Sequence, residues 1–133
     1  MLTHATKLEE FFQKKLNDLK CRTIVKAYLI STLSKYKYPE NNYSNVSLTL
    51  LFNKGQSNRD FITLQNLADW IFFCEVIFPQ HLNDCSKQYY YSLAQMSYYN
   101  CYKLLNRQLD LYLQLADELE SLILQTQQIM QKP

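Results

Sequence analysis

Glycine is almost missing from this chain: one in 133 residues. Glycine supplies the positive-φ positions of tight hairpins, bulges and phosphate-cradling loops. Its scarcity argues against a β-rich fold and against the glycine-rich nucleotide motifs. Histidine is scarce too, with only His4 and His81, so few acid–base or metal-binding constellations can be assembled. No apolar run approaches the roughly 20 residues of a membrane span. The N-terminus has no basic-then-apolar leader, because Glu9 and Glu10 interrupt any such segment. The four cysteines, Cys21, Cys74, Cys85 and Cys101, lack the close pairing of a secreted disulfide scaffold. Together these absences lead us to expect a reduced, cytoplasmic protein with no membrane association.

What is present is aromatic and helical. Seven of the eleven tyrosines, the single tryptophan and three of the seven phenylalanines fall between Trp70 and Tyr112. A chain of this length fits one domain, residues 1–133, able to bury a core without metal or disulfide staples, with 1–5 and 131–133 expected to be mobile. The apolar fraction of 47% is ordinary.

Apolar residues recur at helical spacing along most of the chain. Leu8, Phe11, Phe12, Leu16 and Leu19 mark a first helix from Thr6. A second, Arg22–Tyr36, buries Ile24, Val25, Tyr28, Leu29 and Leu33; nothing before Thr23 forces a break, so the two could be one. Residues 38–45 read as a loop around Pro39. Asn45 is expected to cap a short helix, Val46–Asn53, closed by Gly55, with an edge strand as the alternative. Ser57 or Asn58 then caps a helix to Phe78, Ser86 caps one to about Leu105, and a last helix covers Arg107–Gln131. The expected fold is an all-α bundle of five or six helices centred on the three long C-terminal ones.

Three stripes stand out. In the last helix Leu109, Tyr112, Ala116, Leu119, Ile123, Thr126 and Met130 form an a/d seam, flanked by Leu111, Leu115, Leu122 and Ile129. So wide an apolar face suits either the centre of the bundle or a seam with a partner or a second copy, a homodimer through the last helix. In the Ser86–Leu105 helix, Ala94, Ser97 and Cys101 allow close helix approach, while Tyr91, Tyr98 and Tyr102 share a second stripe. Such a tyrosine row suits a core margin, a partner interface or a pocket wall. In the preceding helix Glu75 occupies an apolar position, where a carboxylate must be paired or protonated. Glu75 and Asp69 are the acidic residues of first interest, and Trp70, Phe73 and Glu75 could line a pocket.

Chemical constellations are weak. Cys74, His81 and Cys85 match no standard zinc spacing, so no metal and no cofactor is expected. Cys85, His81 and Asp84 lack an oxyanion-forming turn, and Asp69 and Glu75 lie about 600° apart around their helix, which defeats a carboxylate pair. No catalytic residues are assigned. Residues 1–37 are basic, through Lys7, Lys14, Lys15, Lys20, Arg22, Lys26, Lys35 and Lys37, and the C-terminal segment is acidic. The two ends could pack together. With one arginine among them and no helix-turn-helix, nucleic acid is a poor fit for these lysines, Tyr28 and Tyr36.

Asp69-Trp70-Ile71-Phe72-Phe73, then Phe78-Pro79 and Leu82, followed by Tyr90-Tyr91, Ala94 and Ser97-Tyr98, resembles an uncharacterised bacterial family of small helical proteins. The likeness covers about residues 58–120 and implies a compact α-bundle, with no activity attached. Members often carry glycine before the Phe-Pro element. Val76 and Ile77 stand there in this chain, so close backbone packing is not expected at that point.

The functional expectation is a non-catalytic protein–protein interaction module: an adaptor, chaperone-like or regulatory subunit. Its contacts would use Tyr91, Tyr98 and Tyr102, or Leu115 and Leu122 of the last helix. The alternative is a binder of small apolar ligands with an aromatic pocket around Trp70.

Overall fold

The computed structural model describes residues 4–35, 45–82 and 85–132. Every regular element among them is helical. Seven α-helices follow one another: α1 (His4–Lys15), α2 (Thr23–Lys35), α3 (Asn45–Ser57), α4 (Phe61–Ile77), α5 (Lys87–Leu104), α6 (Asp110–Asp117) and α7 (Leu119–Gln131). A 3₁₀ turn, Pro79–His81, separates α4 from α5. The all-α class stands, and the count rises from five or six to seven. The additional helix comes from the C-terminal segment. There Glu118 leaves helical geometry (φ −106°, ψ 11°), although its N–H still bonds Gln114 O at 2.9 Å and its carbonyl accepts from Leu122 at 2.9 Å. The long last helix is therefore two helices joined at a one-residue kink. The N-terminal pair is also two helices, parted by residues 16–22, where Leu16 and Leu19 are buried.

Helix α4 is the hub. It packs most extensively against α5 and also contacts α2, α3 and α7. Leu67 through Glu75 are all buried, the pattern of a helix enclosed on every side rather than along one stripe. Val46–Phe52 is helical, not an edge strand. Residues 36–44, which hold most of the expected loop 38–45, and Asp84 lie outside the described residues.

Helix ends depart from expectation in one respect. Gly55 does not close α3; it lies inside the helix, and a Cβ there would meet Leu64 at 3.1 Å and Thr63 at 3.2 Å. Its role is close approach of α3 to α4. The left-handed position belongs to Arg59 (φ 53°), with Asp60 N–H bonding Gly55 O at 2.8 Å and Arg59 N–H bonding Gln56 O at 3.3 Å. This is a Schellman closure with an arginine where glycine is usual. Because α3 runs on through Ser57, the cap of α4 moves from Ser57 or Asn58 to Asp60, whose side chain accepts from Thr63 N at 3.2 Å.

The two chain ends do pack together. Arg22 pairs with Asp110 at 3.1 Å and donates to Gln114 at 2.9 Å, while Lys15 Nζ reaches Lys132 O at 2.8 Å. Lys26 donates to Asn17 O at 3.0 Å. Part of the basic N-terminal charge is thus committed within the fold. No described helix is long and apolar enough to cross a membrane.

Candidate functional site: the two faces of the tyrosine helix

Helix α5 starts at Ser86, whose Oγ accepts from Tyr89 N at 3.2 Å, and so presents a continuous tyrosine-rich surface for 18 residues. Its inner face carries Tyr90, Leu93, Ala94, Ser97, Tyr98 and Cys101, all buried. The small stripe Ala94–Ser97–Cys101 lies in the core, as its spacing suggested. Ser97 Oγ donates to Leu93 O at 2.8 Å, so its hydroxyl is satisfied within the helix.

Tyr98 points to the chemical centre of the core. Its hydroxyl donates to Asp69 Oδ1 at 2.7 Å, and the Tyr28 hydroxyl from α2 donates to the same oxygen at 2.7 Å. Lys35 Nζ lies 3.3 Å from the other carboxylate oxygen. The rings of Tyr28, Tyr98 and Tyr112 stand within 5.7–6.3 Å of one another, and Gln65 donates to the Tyr112 hydroxyl at 2.7 Å. Asp69 is only 3% exposed. Burial pushes its pKa up, opposed by the hydroxyls of Tyr98 and Tyr28 and by Lys35. Burial pushes Tyr28 and Tyr98 up as well, with the Asp69 charge adding to it. Four elements, α2, α4, α5 and α6, are joined through this cluster. The sequence pointed to Asp69 and Glu75 together and singled out Glu75 as the carboxylate in need of a partner. It is Asp69 that receives two tyrosine hydroxyls, one from Tyr28, 41 residues away.

Glu75 lies on the other side of α4, buried, and its Oε2 has no hydrogen-bond partner among the described residues. Burial raises its pKa, with Lys87 opposing. Trp70 and Phe73 are core side chains, and neither lines the two surface clefts described below. Burial pushes the thiols of Cys74 and Cys101 up to about 12, so both are protonated at neutral pH and poor nucleophiles. Among the described residues no three His, Cys, Asp or Glu side chains converge on a possible metal position; Cys74 is buried, Cys85 is exposed, and His81 packs against the Phe78 ring.

The expected interaction residues separate. Tyr91 is 4% exposed and Tyr98 is fully buried, so neither offers a surface. Leu115 and Leu122 are equally enclosed, which places the surplus stripe of the last helix inside this chain's own core. Tyr102 alone stays half-exposed. It stands beside Tyr99, with ring centroids 6.2 Å apart, and Lys103 Nζ lies 5.1 Å over the Tyr99 ring. Tyr99 and Met96 are 42% and 45% exposed. They border a shallow groove of about 310 Å³ between α5 and α6, completed by Gln95, Ala116 and Asp117. Met96 and Tyr99 were missed because the inward stripe drew attention. They lie three apart on the opposite side of α5, a spacing visible in the sequence.

No protein-family model, curated protein or solved structure matches this chain. The likeness to a helical bacterial family therefore rests on the quoted residues between Asp69 and Tyr98 alone.

Proposed function

We propose that this protein is a non-catalytic protein–protein interaction module whose contact surface is the outer face of α5. The observation that carries the reading is the row of exposed Met96 and Tyr99 with half-exposed Tyr102, beside a groove of about 310 Å³. Tyrosine and methionine are enriched in interface cores, and a ring already packed against a neighbour loses little freedom when a partner covers it. The partner is a protein segment that lays an apolar side chain over Met96 and places a donor opposite Asp117. The buried carboxylates and the protonated thiols support a non-catalytic role, because they serve packing and are closed to substrate.

A photo-crosslinking residue at position 96, introduced in the native host, tests this. The expected outcome is one discrete adduct. Its purified partner should bind the wild-type protein and bind Tyr99→Glu at least tenfold more weakly, as for a central aromatic contact. An adduct of twice the chain mass identifies a second copy as that partner. No adduct, or equal binding by both variants, ends the proposal.

A further inference from the structure

A second cleft, of about 490 Å³, opens where the C-terminal ends of α3 and α5 meet. Its lining includes Gln56, Arg59, Asn100, Lys103, Asn106 and Arg107. Three cations are present and no carboxylate. The acids that follow its lining residues in the chain are committed elsewhere: Asp60 accepts from Thr63 Oγ1 at 2.7 Å, and Asp110 pairs with Arg22. Neither Arg59 nor Arg107 makes an ion pair among the described residues.

Two helix C-termini would ordinarily repel an anion through their free carbonyls. Here those carbonyls are capped by backbone N–H groups. Lys54, Gly55 and Gln56 accept from Asn58, Asp60 and Arg59; Cys101, Tyr102 and Lys103 accept from Leu105, Arg107 and Asn106. The side-chain charges are left to dominate the cleft.

The closures of α3 and α5 bring unusual backbone to the same place. Arg59, Asn106 and Arg107 (φ 53°, 57° and 58°) are the only non-glycine residues with positive φ among those described, and all three line this cleft. Glycine would adopt that backbone without penalty, whereas arginine does not. Holding two arginines at such positions makes sense when the guanidinium groups are needed.

We infer that this cleft binds a small phosphate-bearing anion, a diphosphate or nucleotide, with Arg59 and Arg107 as forked donors and Lys103 as the third charge. Guanidinium forks match phosphate oxygens bidentately, and the volume lies within the range of small-ligand sites. This site is separate from the α5–α6 groove, although Lys103, which lines it, also places Nζ over the ring of Tyr99 in that groove.

Calorimetric titration of the full chain with pyrophosphate and with ATP at low salt tests the assignment. Arg59→Gly and Arg107→Gly remove a cation and at the same time relieve the backbone, so folding is preserved or improved. Each is expected to weaken pyrophosphate binding at least tenfold while the melting temperature holds or rises. Lys103→Ala should weaken binding as well. Failure of the wild type to bind either probe overturns the proposal, as does unchanged affinity in both glycine variants. A single-stranded RNA that displaces pyrophosphate at lower concentration than ATP does would also overturn it, assigning the cleft to a nucleic-acid backbone.

Discussion

At the scale of single residues, two buried carboxylates on one helix have opposite circumstances. Asp69 accepts two hydroxyls and faces Lys35, so its desolvation is offset by charge-assisted hydrogen bonds. Removing one donor deletes such a bond from a site closed to water. Tyr98→Phe is therefore expected to cost about 1.5–3 kcal/mol in chemical denaturation, while Tyr102→Phe, at the half-exposed end of the same predicted stripe, should change stability by less than about 0.5 kcal/mol. Equal effects would mean that Asp69 does not organise the core. Glu75 lacks this compensation: its Oε2 is buried without a partner, and burial raises its pKa. A carboxyl whose pKa is higher folded than unfolded binds more protons in the native state. Its contribution is then fully present below the ordinary carboxylate range, near pH 4, and is lost as pH rises through the raised folded value. Glu75→Gln should consequently stabilise the protein by about 1–2 kcal/mol at pH 8, with the gain shrinking toward pH 4. A pH-independent difference between the two melting curves would contradict this.

At the scale of elements, helix existence was legible, and helix termination only in part: Ser86, Leu105 and Phe78 stand at helix ends as expected, whereas the junction of α3 and α4 departs from expectation. The 3.6-residue recurrence of Leu8, Phe12, Val25, Leu29, Leu64 and Ile71 depends only on local burial, and all but the half-buried Leu8 are enclosed. Gly55 misled because its local signature suits a cap, whereas its value lies in the distance to Leu64 on another helix, which no single segment reveals. Arg59 in the left-handed region has no sequence signal at all. Gly55→Ala separates the two roles. In an open helix interior the change should gain about 1 kcal/mol from propensity. Against fully buried Leu64 the added methyl must displace a packed side chain, at about 1–3 kcal/mol. The net expectation is a loss of up to about 2 kcal/mol by thermal or urea unfolding; a gain would show that α4 yields easily.

At the scale of the whole molecule, the broad apolar face of the C-terminal segment carries the sharpest alternative. Periodicity alone could not say whether Leu115 and Leu122 meet another helix of this chain or a second copy, because both surroundings are apolar and both reward the same spacing. The kink at Glu118 helps decide it: α6 turns toward α5 while α7 contacts α4 and α5, so a stripe that looked too wide for one neighbour serves several. The same logic explains why Tyr98 could not be placed by reading α5 alone, since its partner Asp69 is reached only when α4 docks. An intramolecular stripe makes a particular kinetic and thermodynamic signature. Leu122→Ala should destabilise by about 2–5 kcal/mol, and the unfolding midpoints of wild type and variant should stay the same across a hundredfold range of protein concentration. An obligate dimer seam would make those midpoints rise with concentration, since association is linked to folding by mass action. Paired denaturation curves at two concentrations therefore distinguish a core leucine from an interface leucine without knowledge of any partner.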